Sequence, residues 1–230
     1  MGHHVLSGNP PVIVELRRST RARRISLRVS GLDGKVTLTV PHGVGEREAL
    51  EFAREKGDWL RAQLGRQAAP EQIAVGAELP VEGTLRRIEA GRGRSVRDNG
   101  VVLQVPGHPE TAAVRLRAWL KTRARDRLAE ASDRHAASLG VGYARITLRD
   151  TRSRWGSCSS QGGLMYSWRL IMAPPEVLEY VAAHEVAHLR EMNHSAEFWA
   201  LVDRLYPGYG APRRWLRENG AALHRYRFGD

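Results

Sequence analysis

Two histidines placed four residues apart constrain the fold of this chain more than any other feature. His184 and His188 lie in a stretch that begins at Pro175 and has the apolar spacing of a helix, and residues four apart share one helical face. Both histidines continue the apolar stripe of Val177 and Val181, so this face is expected to point inward. Buried imidazoles need polar partners. The sequence therefore predicts a buried helix whose histidines share a metal ion.

Glu185 completes the pattern His-Glu-x-x-His. It lies about 100° around the helix from His184, beside the metal, where its carboxylate can hold a metal-bound water instead of binding the metal. The alternative is a helix whose two histidines are exposed or satisfied by hydrogen bonds. The pattern favours a metal-dependent hydrolase, with His184 and His188 as metal ligands and Glu185 as the catalytic base.

A catalytic zinc ion usually has three protein ligands and one water, so one ligand remains to be found. His194 is the first candidate, because it follows His188 by six residues and comes directly after Asn193, a residue that can take the left-handed conformation that ends a helix. Glu197 is the alternative, by analogy with proteases whose third ligand is a downstream glutamate. Three imidazoles suit one Zn2+ per chain, and Ni2+ or Co2+ could replace it.

The apolar pattern changes its period near residue 109, which divides the chain into two predicted modules. Residues 1–108 are strand-rich, with a hairpin from Ile25 to Val40 and one helix from about Glu46 to Leu64. Residues 109–230 begin with a long helix over about 110–139. The later predicted elements are strands at Arg145–Arg149 and Leu164–Met172, and helices from Pro175 to about Met192, Ser195 to Leu205 and Pro212 to Tyr226. The predicted fold class is α+β.

Composition and charge narrow the classes of function. The chain has 230 residues, of which 42% are hydrophobic and 27% charged, as is typical of a globular protein. The sequence contains no run of about 18 apolar residues, so no membrane-spanning helix is expected. The N-terminus lacks the basic and apolar regions of a secretory signal. With one cysteine, Cys158, no internal disulfide is expected, and we expect a cytoplasmic location. The net charge of +11 is compatible with a plain basic surface or with an anionic partner.

Several sequence blocks resemble the YgjP-like metallopeptidases, a zincin family related to the SprT-like and WLM proteases. In order, the blocks are Ser153-Arg-Trp-Gly-Ser-Cys-Ser159, Trp168-Arg-Leu-Ile-Met-Ala-Pro174, Tyr180-Val-Ala-Ala-His-Glu-Val-Ala-His-Leu189 and Asn193-His-Ser-Ala-Glu-Phe-Trp199. The resemblance implies a minimal zincin-like metallohydrolase domain after the strand-rich module. It also implies His184, His188 and His194 as metal ligands and Glu185 as base. Ser167 departs from the pattern, since many members have asparagine there.

Three hypotheses describe the substrate. In the favoured one, a peptide binds as an added strand along Leu164–Ile171. In the second, which the family's association with UTP pyrophosphatase activity also suggests, a nucleoside triphosphate binds through arginines. These are Arg152, Arg154 and Arg169. In the third and least favoured one, the basic N-terminal module brings the site to nucleic acid, as in SprT-like relatives.

Four further residues are weaker candidates. Tyr206 or Tyr209 could donate a hydrogen bond to an oxyanion that forms during hydrolysis, although tyrosines beside a Pro-Gly turn are commonly structural. The resemblance places Trp155 and Cys158 near the site. For both we expect packing roles rather than catalytic ones.

Overall fold

The computed structural model describes residues 2–31, 33–65 and 69–229. Contacts divide the chain into two compact units, Met1–Ala69 and Pro70–Asp230. The sequence instead predicts a boundary between residues 108 and 109. The difference arises because the strands after residue 70 and the long helix share one hydrophobic core. This core includes Leu79, Leu103 and Leu116. A change in the spacing of apolar residues marks the change from strands to a helix, but strands and helix can belong to the same domain.

The first unit is a four-stranded sheet with two helices. Its strands are β1 (Gly2–Leu6), β2 (Val12–Ser19), β3 (Ser26–Val29) and β4 (Val36–Pro41), paired in the order β1-β2-β4-β3. Antiparallel β3 and β4 confirm the predicted hairpin, of which Leu32 lies outside the described residues. The single predicted helix is in fact two, α1 (Glu46–Glu55) and α2 (Gly57–Gly65). The chain leaves helical geometry at Lys56, next to a glycine, which disfavours helix.

The second unit begins with a sheet packed on a long helix. Its strands are β5 (Glu71–Gln72), β6 (Glu78–Val81), β7 (Thr84–Gly91), β8 (Arg97–Asp98) and β9 (Val102–Pro106), of which the last four pair in the order β6-β7-β9-β8. The long helix α3 (Ala112–Leu139) confirms the predicted one and ends at Gly140 in the left-handed conformation, with φ 63°. This part forms the support on which the histidine-bearing helix packs.

The rest of the second unit carries the candidate site. A small sheet holds β10 (Arg145–Arg149), β11 (Gly156–Cys158) and β12 (Gly163–Ser167) in the order β10-β12-β11. A 3-10 helix at Trp168–Met172 leads to α4 (Pro175–Ala187), α5 (Ala196–Leu205) and α6 (Gly210–Asn219). After a second 3-10 helix at Gly220–His224, β13 (Tyr226–Arg227) pairs with β5.

Three predicted ends differ from the structure. The strand predicted over Leu164–Met172 ends at Ser167, since the five buried residues that follow form a 3-10 helix, and a continuous apolar run does not distinguish helix from strand. Helix α4 stops at Ala187 instead of Met192, and the last helix spans Gly210–Asn219. The fold class is α+β, as predicted. In the ranges that the structure describes, no helix is long and apolar enough to cross a membrane; the cytoplasmic location stays a prediction.

Candidate metal centre

Helix α4 is buried over most of its length. Val177 and Val181 are 1% and 3% exposed, as the inward stripe predicts. Pro174 is the N-cap and Pro175 is the first residue of the first turn, where the missing N–H of proline costs nothing. His188 is also buried, whereas His184 is half-buried. The helix therefore places two imidazoles at the boundary between the core and solvent.

The structure brings three predicted ligands together. Nitrogen atoms of His184, His188 and His194 lie within 4.8 Å of one another, and no other described group of three or more histidine, cysteine or acidic side chains is placed in this way. The Nε2 atoms of His184 and His194 are 3.1 Å apart. Because zinc–imidazole bonds of about 2.0–2.1 Å in a tetrahedron separate two ligand nitrogens by about 3.3 Å, this spacing fits a shared ion.

Hydrogen bonding also fits a metal at this place. His188 Nδ1 donates to the carbonyl of Glu191, with 2.9 Å between the two atoms, which fixes the tautomer and leaves Nε2 with its lone pair. Metal-binding histidines commonly donate a hydrogen bond in this way from the ring nitrogen that does not bind the metal. Burial lowers the pKa of His184 to about 3, and it also lowers the pKa of His188. Both rings are therefore neutral near pH 7, as metal ligands must be.

His194 reaches the other two histidines through a capped turn. Asn193 Oδ1 accepts a hydrogen bond from Ser195 N at 3.0 Å, and the Ser195 hydroxyl caps α5 by accepting from Phe198 N at 3.3 Å. Asn193 does not use the left-handed conformation that is open to it, since its φ is not positive. The turn is built by side-chain hydrogen bonds instead.

The alternative third ligand, Glu197, lies apart from the histidines. It is exposed and does not belong to the group of ligand atoms. The Ser195 hydroxyl holds the pKa of this carboxyl below its ordinary value. The geometry thus favours His194 over Glu197.

An aromatic cluster, which the sequence did not predict, surrounds the histidines. The ring of Phe198 lies 4.4 to 4.9 Å from all three imidazoles, measured between centroids. Trp199 lies 5.8 Å from His194 and carries the guanidinium of Arg213 at 4.3 Å on its ring. These contacts fix the ring planes of the ligands. The Phe-Trp pair after Asn-His-Ser was a usable signal, because these residues follow the third histidine by only four and five positions.

Glu185 is 5% exposed and faces the small sheet. A Cβ atom placed on Gly156 in β11 would lie 2.4 Å from Glu185 Oε1, so only glycine allows the strand to pass so close. Burial raises the pKa of Glu185 to about 8, and the positive charge of Arg154 opposes this rise. A cation held by the histidines would also lower this pKa. The carboxyl is therefore poised to take up a proton near neutral pH.

The three predicted substrate arginines have different surroundings. Arg154 is exposed and lies near enough to Glu185 to affect its pKa. Arg152 is exposed and influences His224 instead. Arg169 is 4% exposed; its Nε and Nη2 atoms donate to both carboxylate oxygens of Asp150, at 2.7 and 3.0 Å. The structure therefore does not support a substrate-binding role for Arg169, because its donors already bind groups inside the protein.

We expect Arg169→Met to destabilise the protein by about 3 kcal/mol. The change would leave Asp150 without its partner and would remove the hydrogen bonds from Nη1 to the carbonyls of Leu223 and Tyr226. Denaturant unfolding measures the effect. Arg152→Met, at an exposed arginine of the same segment, is the control and should change stability by less than about 0.5 kcal/mol. Equal effects of both variants would contradict the structural role.

Of the two candidate tyrosines, Tyr209 lies nearer to the histidines. Its ring stacks on Trp199 at 5.4 Å and on Tyr180 at 6.2 Å, and Tyr180 contacts the ring of His184 at 5.9 Å. Tyr206 has no ring contact with a histidine of the described ranges; burial raises its pKa, and the charges of Glu176 and Glu179 add to this rise. The structure thus does not support a substrate role for Tyr206.

The remaining two candidates pack as predicted. The ring of Trp155 lies 5.3 Å from the ring of His224 and 2.9 Å from the position of a Cβ on Gly220. Cys158 is partly buried against the core. Burial raises the pKa of its thiol, and Glu185 adds to this rise, so the thiol stays protonated near neutral pH.

The metal-free protein should be most stable near pH 6.5. The native pKa values of His184 and His224 are about 3 and about 4, below the ordinary 6.5, so acid favours the unfolded chain, which binds protons more readily. The native pKa of Glu185, about 8, lies above the ordinary 4.5, so stability falls between these values as the pH rises. Between about pH 4.5 and 6.5, the two histidines together increase the stability with rising pH by more than the one glutamate decreases it, so the maximum lies near pH 6.5.

Chemical unfolding in chelator at about pH 5, 6.5 and 8 measures this dependence. Glu185→Gln should remove the loss of stability above pH 6.5 and should keep the loss below it. A stability that rises steadily from pH 5 to pH 8 in the unchanged protein would contradict the prediction.

Comparison with known proteins gives a family. The model of the YgjP-like family, described as a metallopeptidase domain, matches residues 23–219. One solved structure, the crystal structure of the metallopeptidase zymogen of Pyrococcus abyssi abylysin, is 24% identical over 42% of this chain and 92% of that chain, with a TM-score of 0.34. A search of curated proteins gave no match. Because the family model covers most of the sequence, the chain belongs to the YgjP-like metallopeptidases.

Proposed function

We propose that this protein is a zinc-dependent peptidase in which Glu185 is the general base. Metallopeptidase-type function, which requires a divalent metal, follows from the family. The convergence of His184, His188 and His194, with Glu185 buried on the same helix, is the observation that carries the finer proposal. Zinc is the metal of choice for three imidazoles with one open position.

The protein groups have separate tasks in this mechanism. The three histidines hold the metal, which when bound supplies a water of lowered pKa and polarises the carbonyl under attack. Glu185 accepts the proton of that water on its carboxylate and later donates it to the leaving nitrogen. Its raised pKa supports this double role, because a base that titrates near neutral pH can both take and return a proton.

The peptide is proposed to bind along β11 instead of along the predicted Leu164–Ile171 segment. That segment begins with β12, which is the central strand and pairs with β10 on one side and β11 on the other. Strand β11 lies at the end of the sheet, so one of its edges has no partner among the described strands. An extended peptide added to this edge would pass Gly156, which contacts Glu185.

The triphosphate hypothesis has less support. It relied on three arginines around the metal, and Arg169 is bound to Asp150 in the interior. The nucleic-acid hypothesis gains no specific contact. We therefore keep a peptide as the proposed substrate.

The test compares the two substrate classes under identical conditions. Zinc-loaded protein is incubated with an unfolded polypeptide, and separately with UTP and the other nucleoside triphosphates, with and without chelator. We expect chelator-sensitive cleavage of the polypeptide and no chelator-sensitive release of phosphate or pyrophosphate. Chelator-sensitive hydrolysis of UTP that His184→Ala abolishes, without polypeptide cleavage, would replace the peptidase proposal by the nucleotide one.

A further inference from the structure

A basic groove, about 380 Å³ in volume, lies on the small three-stranded sheet. Among the residues that the structure describes, three arginines and four hydroxyl side chains line it, and no acidic side chain does. We call it the arginine groove, after Arg145, Arg149 and Arg154. None of these arginines forms an ion pair with an acidic residue of the described ranges, whereas Arg123 and Arg127 pair with Glu82 on another face of the same unit.

The strand pattern places two of these arginines on the same side of the sheet. Arg145, Thr147 and Arg149 alternate with inward residues of β10, of which Ile146 is 8% exposed. Because side chains alternate between the two faces of a strand, Arg145, Thr147 and Arg149 lie on the same exposed face of β10. The Cα atoms of Arg145 and Arg149 are about 13 Å apart, because four residues of extended chain separate them at about 3.3 Å per residue.

A glycine on the central strand gives Arg145 a path across the sheet. Arg145 in β10 pairs with Gly163 in the neighbouring strand β12. The point where a Cβ atom of Gly163 would lie is 3.9 Å from Arg145 Nε and 3.1 Å from Ser159 Oγ. The arginine of one edge strand and the hydroxyl just after the other edge strand thus meet over β12.

The groove extends from the catalytic end of the sheet to its far end. Gly156, which contacts Glu185, pairs with Tyr166, and the next residue of β12, Ser167, pairs with Arg149. Arg149 therefore lies level with the catalytic carboxyl, and Arg145 lies four residues further along β10. Arg154 precedes Gly156 by two residues and influences Glu185. Arg149 and Arg154 thus lie toward the Gly156 end of the sheet, and Arg145 lies toward the other end.

We propose that the arginine groove binds acidic side chains of the polypeptide substrate, on one side of the cleaved bond. The inference rests on the proposed peptidase function. A peptide paired with the free edge of β11 would direct every second side chain toward the outer face of the sheet, at intervals of about 6.6–6.8 Å. Glutamate or aspartate at such positions would meet guanidinium groups that have no acidic partner among the described residues, and charge-assisted hydrogen bonds would form.

Binding is tested without cleavage, with the zinc-loaded Glu185→Gln protein. Two labelled peptides of equal length are compared, one with glutamate at alternate positions and one with glutamine there. We expect about tenfold tighter binding of the glutamate peptide, and this preference should shrink at high salt because screening weakens exposed charges.

Arginine variants decide whether the groove is the source of the preference. Arg145→Gln with Arg149→Gln should abolish the preference for the glutamate peptide. The matched control is Arg92→Gln with Arg94→Gln, at two exposed arginines of the loop between β7 and β8, which should keep it. Arg154 is left unchanged because its charge acts on Glu185. A preference that is absent, or that survives loss of Arg145 and Arg149, would overturn the proposal.

Cleavage-site mapping on a peptide mixture separates this inference from the proposed function. The active protein should cut preferentially where acidic residues cluster on one side of the bond. Cleavage without such a preference would overturn the groove assignment and leave the peptidase function standing. No cleavage, together with arginine-dependent binding of the glutamate peptide, would overturn the function alone. Tighter arginine-dependent binding of UTP or single-stranded DNA than of the glutamate peptide would assign the groove to another ligand.

Discussion

The Glu185→Gln protein is expected to bind zinc like the unchanged protein and to lose about 10²- to 10⁴-fold in turnover. Glutamine has nearly the same shape and can fill the space beside Gly156, but it cannot accept the proton of the metal-bound water. It also carries no charge, so the cost of burying a carboxylate, which raises the pKa of Glu185 to about 8, disappears. Folding should therefore be preserved while catalysis is lost.

Zinc content, circular dichroism and kcat on an unfolded polypeptide measure the three properties separately. Glu218→Gln, at an exposed glutamate of α6, is the matched control and should change none of them. If Glu185→Gln loses zinc as fully as a histidine variant does, Glu185 is a ligand or a structural group. If it keeps its turnover, another residue is the base.

The sequence predicts the grouping of the three histidines well because most of its geometry is local. The interval from His184 to His188 places both rings on one side of α4 by helical geometry alone. His194 needs a turn, yet that turn is closed by its neighbours, Asn193 and Ser195. Candidate ligands that lie within 11 consecutive residues, 184–194, can be found without knowing the rest of the fold.

Contacts between distant segments could not be found in the same way. Gly156 meets Glu185 only because β11 packs against α4, and Tyr209 reaches Tyr180 only because α6 packs against α4. The same limit explains Arg169. The triphosphate hypothesis assigned it to the substrate, whereas Asp150 and two backbone carbonyls bind its guanidinium. Charge in a sequence does not reveal which arginines are buried.

His194→Ala should weaken zinc binding by more than about 100-fold. Loss of a group that only hydrogen-bonds to a ligand already costs about 10- to 100-fold in metal affinity, and His194 contributes a nitrogen 3.1 Å from that of His184. Glu197→Ala is the matched comparison, because it lies on the next helix and was the alternative ligand in the sequence. Its exposed carboxyl lies outside the ligand group, so this variant should keep its zinc.

The measurement is a competition with a chelator of known zinc affinity, for both variants and for His188→Ala, which should lose zinc as His194→Ala does. Protein is prepared without a metal-affinity step. Denaturant unfolding in excess chelator shows whether the metal-free variants still fold, since the His194 side chain is exposed and its removal should change that stability little. Zinc retained by His194→Ala and lost by Glu197→Ala would exchange the two assignments, and the turn after α4 would then need to bring the glutamate inward.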